Sequence, residues 1–261
     1  MKKQYADVEL TLEGGVALVE IQRPPHNFFD TELIESIATA FEDMDDNPDC
    51  RALVLAAQGK SFCAGANLPD NADRILPTDT AVKENPLYSA AVRLFDTAKP
   101  IIGAIQGAAI GGGLGLSLVP DFRVCSPQAR FCANFAKLGF HPGFALTYTL
   151  PKLIGPQKAA LMMLTGRRIS GQQAVDWGLA DVLANSEDLR EKAMELAHEI
   201  AENAPLTLLS IRASQRQGLV ERIKEQTDEE FTLQTAQRKT GDFKEGIRAV
   251  TERRPGIFTG K

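Results

Sequence analysis

Ser61-Phe62-Cys63-Ala64-Gly65-Ala66-Asn67-Leu68 and Gly107-Ala108-Ala109-Ile110-Gly111-Gly112-Gly113-Leu114-Gly115 are the two stretches on which the reading of this chain turns. Each follows a short, continuous apolar run, Ala52–Ala56 in the first case and Ile101–Ile105 in the second. Such runs read as strands buried on both faces. The pattern therefore predicts strand, tight turn and helix, twice over. Turns of this kind leave backbone N–H groups unpaired. Two of them aimed at one point would stabilise an oxyanion. Gly112 falls at the expected start of an apolar helix running to about Val119, where the helix dipole favours negative charge. Glycine also lets a ligand approach the backbone closely.

Working outward, residues 7–12 alternate polar and apolar, Glu13-Gly14-Gly15 is a turn, and Val16–Ile21 is the returning strand of a hairpin. Leu33, Ile34, Ile37, Ala38 and Phe41 have helical spacing within Thr31–Met44, and Asp30 or Thr31 can cap that helix. Residues 69–86 are polar and rich in Pro, Asp and Asn, which predicts an exposed, mobile segment before a helix at about Leu87–Ala98. Phe122–Ser126 and Arg130–Cys132 read as further strands. From about Thr147 onward the pattern is helical: Gln157–Thr165, Ser170–Trp177, Glu187–Asn203, Leu206–Gln217, Glu221–Lys239 and Phe243–Glu252. The expected fold class is α/β with a helical C-terminal region. Periodicity does not separate a superhelix of ββα units from a doubly wound sheet.

Composition narrows the function. With 261 residues the chain can bury a sizeable core. A net charge of −5 argues against nucleic acid as partner, because phosphate neutralisation needs a basic face. The four cysteines form no C-x-x-C pair and only three histidines are present, so no metal site is expected. No apolar signal core or membrane-length apolar stretch occurs, and a cytoplasmic protein is expected. Three nucleotide or hydrolase motifs fail. Gly59-Lys60-Ser61 lacks the P-loop glycine, since Val54 stands there. Gly113-x-Gly115 lacks a third glycine, since Leu118 stands there. No Gly-x-Ser-x-Gly is present.

The two glycine loops together resemble the signature of the crotonase (enoyl-CoA hydratase/isomerase) family. The likeness also covers Ile21-Gln22-Arg23-Pro24, Leu161-x-x-Leu164-Thr165-Gly166-Arg167-Arg168-Ile169, Ala174-x-x-Trp177-Gly178-Leu179-Ala180, Asp242-Phe243-Lys244-Glu245-Gly246 and the closing Arg253-Arg254-Pro255-x-x-Phe258-x-Gly260-Lys261. Each is weak alone; their order and spacing carry the resemblance.

The resemblance implies a crotonase-like superhelix of ββα units over 1–200 with the acyl-CoA site, and a helical trimerisation region over 201–261. It implies that the N–H groups of Ala66 and Gly112 bind a thioester oxygen. It lines the CoA path with Ala64, Gly65, Asn67, Leu68 and Gly111, places Pro25, His26 and Asn27 beside it, and puts Lys244, Phe258 and Lys261 at the nucleotide end. It implies a homotrimer or dimer of trimers acting on an acyl-CoA thioester, with no cofactor beyond the CoA carried by the substrate.

Hydration needs a base to activate water and an acid to protonate the α-carbon. Family hydratases use two glutamates; counting from the triple glycine puts the first of those positions at Gly115, and counting back from Gly139-x-x-Pro142-Gly143 puts the second at Phe135. An aspartate used by some relatives falls at Gly143. The nearest titratable candidate is His141, whose imidazole suits acid–base work near neutrality. The sequence thus implies an acyl-CoA enzyme that stabilises a thioester enolate. A catalytically silent acyl-CoA binder, with Phe135 lining an apolar pocket, and a decarboxylase or C–C hydrolase of the same fold are the alternatives.

Overall fold

The computed structural model describes residues 1–67 and 84–261. The N-terminal strands are β1 (Lys2–Tyr5), β2 (Val8–Glu13) and β3 (Val16–Ile21), followed by helix α1 (Thr31–Asp45) and β4 (Ala52–Ala57). Asp30 caps α1 by accepting from the Leu33 N–H, and the helix buries Leu33, Ile34, Ile37, Phe41 and Met44 on one face. Helix α2 (Pro86–Asp96) begins with proline at its first turn and an Asn85 cap. Then come β5 (Ile101–Ile105), β6 (Ala108–Ile110), α3 (Gly112–Ser117), β7 (Phe122–Cys125), β8 (Arg130–Cys132) and a 3₁₀ turn at Phe135–Leu138.

The remaining chain is mostly helical: α4 (Leu146–Ile154), α5 (Pro156–Thr165), α6 (Gly171–Trp177), α7 (Leu189–Ala201), α8 (Pro205–Gln215), α9 (Leu219–Gln237) and α10 (Gly241–Thr251). Two short strands, β9 (Arg168–Ser170) and β10 (Val182–Leu183), interrupt it.

The strands resolve the choice between superhelix and doubly wound sheet. A seven-stranded sheet runs β1-β2-β3-β4-β5-β7-β10 and a three-stranded sheet runs β6-β8-β9. From β3 onward every pairing in the large sheet is parallel. The chain thus passes from the large sheet (β5) to the small one (β6), through α3, back to the large sheet (β7) and again to the small one (β8). Single parallel bridges, Cys63 to Ala109 and Phe29 to Ala66, continue the small layer into earlier turns. This is a superhelix of strand-strand-helix turns.

Several local expectations are corrected. β6 arises inside the second glycine loop, because Ala108–Ile110 finds a parallel partner in β8 that no local pattern reveals. The helix after it ends at Ser117, two residues short of Val119. The segment after Thr147 is not purely helical, and α4 was not anticipated, since Pro151 lies inside it. β1 is added to the N-terminal hairpin as an antiparallel edge strand. The expected mobile segment at 69–86 lies mostly outside the described residues; its last residue, Pro86, opens α2.

Candidate active site

Hydrogen bonds lock the two glycine loops onto each other. The Cys63 N–H donates to the Ala108 carbonyl (2.8 Å), and the Ile110 N–H returns to the Cys63 carbonyl (3.1 Å). The Ala64 N–H donates to His26, the Phe29 N–H to Gly65 and the Gly111 N–H to Cys132. Among the described residues, the N–H groups of Ala66 and Gly112, which line the cavity described below, have no protein acceptor, and neither has that of Gly113 behind them in the first turn of α3. Gly65 shows how close the loops come. Its φ is +86°, and a Cβ there would lie 2.6 Å from the Ile110 carbonyl oxygen and 3.8 Å from the Gly112 nitrogen. Any side chain at 65 would push the loops apart.

These loops form one wall of a cavity of about 70 Å³. Its aromatic walls are Phe29, Tyr88, Phe135, Phe140 and Phe144. Phe29 and Phe144 approach with ring centroids 5.9 Å apart, and Phe135 meets Phe140 edge-on at 5.4 Å. Among the described lining residues there is no Asp, Glu, Lys, Arg or His; Tyr88 is the one titratable side chain. The polar side chains in the wall are Tyr88, Asn134 and Gln234.

Of the residues singled out in the sequence, Ala64, Gly65, Ala66, Gly111, Gly112 and Phe135 line this cavity. Gly115 does not. It is buried on α3, and a Cβ there would lie 2.6 Å from the Cβ of Phe144, so the Phe144 side chain fills the space a residue at 115 would need. Leu68 lies outside the described residues. Pro25, His26 and Asn67 line a separate pocket of about 290 Å³, which shares Phe29 with the cavity.

Asn27 is fully buried and its side chain is spent within the protein. Its Oδ1 accepts from the Arg23 N–H (3.0 Å), and its Nδ2 donates to the carbonyls of Gln58 (2.8 Å) and Ser61 (2.7 Å). It therefore ties the loop after β3 to the start of the first glycine loop.

His141 faces a different, wider cleft of about 760 Å³, shared with Phe258, Thr147 and Leu164. Its Nδ1 lies 2.9 Å from the Pro142 carbonyl oxygen. Toward the cavity it offers only its backbone carbonyl, which accepts from Gln234 Nε2 at 2.9 Å. Lys244 and Lys261 are exposed, and the Lys261 carbonyl accepts from the Gly241 N–H at the start of α10. Neither lysine lines the cavity or the two neighbouring pockets. Cys63 and Cys132 are buried thiols; burial pushes Cys63 up to about 12 and raises Cys132 as well, so both stay protonated and unreactive.

A polar cluster that the sequence did not reveal lies against the cavity. The Tyr88 hydroxyl donates to Gln234 Oε1 at 2.6 Å, bridging α2 and α9. One turn earlier on α9, the fully buried Glu230 accepts from the N–H groups of Ala145 (2.7 Å) and Thr147 (3.0 Å) and from the Thr147 hydroxyl (2.5 Å). It thereby caps α4 from outside. It also holds Phe144 and Ala145 in place, whose φ values of +65° and +55° are costly for residues with side chains. Burial pushes Glu230 up to about 7 although these bonds favour its ionised form. Burial, and then the Glu230 charge, raise the Tyr88 phenol well above its ordinary range, so it is neutral throughout the working pH range. Tyr88 lies more than 140 residues before Glu230 and Gln234 in sequence, and all three sit on helices whose spacing reads as core.

Comparison with known proteins agrees with this architecture. The sequence profile of the family described as enoyl-CoA hydratase/isomerase matches residues 11–261. The chain is 30% identical to a probable enoyl-CoA hydratase of Bacillus subtilis (strain 168), over 97% of this chain and 99% of that one. It is 32% identical to carnitinyl-CoA dehydratase of Salmonella typhi, over 78% of each. The crystal structure of an enoyl-CoA hydratase/isomerase from Pseudoalteromonas atlantica T6c superposes with a TM-score of 0.87 at 27% identity, covering 97% of this chain and all of that one. With its strand-strand-helix superhelix and paired glycine loops, the chain belongs to the enoyl-CoA hydratase/isomerase family.

Proposed function

We propose that this enzyme binds an acyl-CoA thioester with its carbonyl oxygen between the N–H groups of Ala66 and Gly112, and stabilises the enolate formed there. The observation that carries this reading is the pair of unspent donors at the mouth of one small aromatic cavity. The neighbouring N–H groups of Cys63, Ala64, Ile110 and Gly111 are satisfied within the protein, so leaving these two free at the cavity has a cost that a bound oxyanion would offset. An oxyanion donor of this kind contributes about 3–4 kcal/mol to barrier lowering. Helix α3, at six residues, adds little dipole, and the argument rests on the N–H groups themselves.

The positions that the family resemblance assigns to catalytic carboxylates hold Gly115, Phe135 and Gly143. Phe144 and the Tyr88–Gln234 pair occupy the space in front of two of them. No carboxylate lines the cavity among the described residues, and His141 lines the neighbouring cleft and not the cavity. In this reading proton transfer relies on water or the substrate itself and on none of the described lining residues. This favours steps in which breaking a substrate bond releases the electron pair into the thioester carbonyl, such as decarboxylation or C–C cleavage. In this reading the CoA chain passes Pro25, His26 and Asn67, the protein acts in the cytoplasm without a separate cofactor, and the C-terminal helices join three copies. Among the described residues no helix is long and apolar enough to cross a membrane.

The test is a mass-spectrometric screen of the purified chain against varied acyl-CoA thioesters. A product identifies the reaction by its mass change. Tight thioester binding with no product from any member would replace the enzyme with a silent acyl-CoA binder.

A further inference from the structure

Gln106 stands between β5 and the second glycine loop, and its side chain reaches back to the first. Its Nε2 donates to the carbonyls of Ala57 (2.8 Å), Ser61 (2.9 Å) and Gly59 (3.2 Å). An amide nitrogen carries two protons, so the three acceptors share them. The parallel pairing of β4 with β5 ends at Leu55 and Gly103. Past that point the Gln106 amide takes over the linking of the two chains. Its own backbone is fixed, because its carbonyl accepts from the hydroxyl of the fully buried Ser126 at 2.7 Å. A Cβ at the next residue, Gly107, would overlap the Lys60 carbonyl, so the two loops start in direct backbone contact.

We propose that Gln106 is a positioning residue for the oxyanion-binding N–H groups. By holding the base of the first glycine loop against the root of the second, it sets how the Ala66 donor faces the Gly112 donor. This rests on the acyl-CoA reading above and names the side chain that fixes the geometry of that site.

The bonds trace the path. From Ser61 the first loop runs to Ala66, and from Gln106 the second runs to Gly112. Two side chains meet at the Ser61 carbonyl, Gln106 Nε2 at 2.9 Å and Asn27 Nδ2 at 2.7 Å. Asn27 belongs to the loop that also holds the Ala64 N–H, through the His26 carbonyl, and the Gly65 carbonyl, through the Phe29 N–H. One amide thus joins the first glycine loop to the N-terminal region, and the other joins it to the second glycine loop. Only the second of these links spans the two proposed donors.

Oxyanion donors act through fixed direction, and a misplacement of about 1 Å can cost about 10²-fold in rate. Gln106 is half-buried and lines a pocket of about 230 Å³ with Gly59, Ser186 and Arg190. That pocket shares no residue with the aromatic cavity. The influence of Gln106 on a bound thioester therefore runs through the backbone.

The experiment is isotope-edited infrared spectroscopy of butanoyl-CoA, carrying ¹³C at C1, bound to the full chain. Gln106→Met keeps the length of the side chain and removes both donor protons. It should lose about half of the carbonyl downshift seen with the unmodified chain, because one of the two donors is then misaligned. Its Kd for butanoyl-CoA should stay within about twofold, since the CoA portion supplies most of the binding. An undiminished downshift in folded Gln106→Met overturns the proposal. So does a Kd that rises in step with the lost downshift, which would mark general damage to the site. If Gln106→Met does not fold, Gln106→Glu decides. Protonated, its carboxyl has one O–H to donate; ionised, it has none and sets its charge against the three carbonyl oxygens. Its downshift, relative to the unmodified chain at the same pH, should shrink between pH 5 and pH 9, and one that does not change with pH overturns the proposal. If butanoyl-CoA does not bind the unmodified chain, or binds without a downshift, the acyl-CoA reading itself falls. A normal downshift in both the unmodified chain and Gln106→Met leaves that reading standing and removes only the role of Gln106.

Discussion

Raising the pH from 4.5 to 8 should destabilise the folded chain through one carboxylate, Glu230. It is fully buried, and burial lifts it from an ordinary value of 4.5 to about 7. Between those values the unfolded chain has released this proton while the folded chain retains it. The native state then binds more protons than the unfolded one, so stability falls as pH rises through this window and levels off above about 7. At about 1.4 kcal/mol per pH unit, the gap amounts to about 3 kcal/mol. Glu230→Gln removes the titration but keeps the shape, and its carbonyl can still accept from the Ala145 or Thr147 N–H. Urea denaturation of both proteins at pH 4.5, 6, 7 and 8 isolates the effect, because other titrating groups cancel in the difference. The stability of the unmodified chain relative to the variant should drop by about 3 kcal/mol across the series. A difference that stays flat, or grows with pH, would refute the assignment of a buried, reluctantly ionised carboxylate under α4.

Two further predictions concern residues that sequence reasoning placed on the substrate. Asn27→Ala should cost about 3 kcal/mol, because it strands the Arg23 N–H and the Gln58 carbonyl and leaves the Ser61 carbonyl with Gln106 Nε2 alone; a loss below 1 kcal/mol in urea denaturation would show that water replaces the asparagine. His141→Gln should leave turnover of any thioester found in the screen unchanged, since His141 lines the wider cleft and not the cavity. A large fall in kcat without a fall in stability would return the imidazole to the chemistry.

The legible parts of this molecule were those with local signatures. The buried strands β4 and β5, the capped helix α1 and the two glycine loops are each determined by residues close in sequence. The cavity wall at Ala64–Ala66 and Gly111–Gly112 follows directly from those loops. What stayed hidden depends on long-range packing. β6 forms only because β8 lies beside it. Gly115 leaves the wall because Phe144, held at an unusual φ by a carboxylate 86 residues further along the chain, occupies its space. The sequence correctly offered Phe135 as a wall residue. It offered His141 because it is the nearest titratable group in the chain, whereas the group nearest the cavity in space is Tyr88, more than 50 residues earlier.

The central claim is that Ala66 and Gly112 supply N–H donors to a thioester oxygen. Mutation to another amino acid tests this poorly, because any Cβ at 112 would run into the Phe29 ring. Replacing Gly112 with glycolic acid exchanges its N–H for an ester oxygen and adds no atoms to the wall. The measurement is the isotope-edited infrared frequency of the carbonyl of bound butanoyl-CoA carrying ¹³C at C1. In the unmodified chain the stretch should move to lower frequency than in free thioester, and the ester at 112 should return much of that shift while lowering kcat on an identified substrate by about 10²–10³. A bound carbonyl with the frequency of the free thioester, or a shift that the ester leaves untouched, would contradict the account.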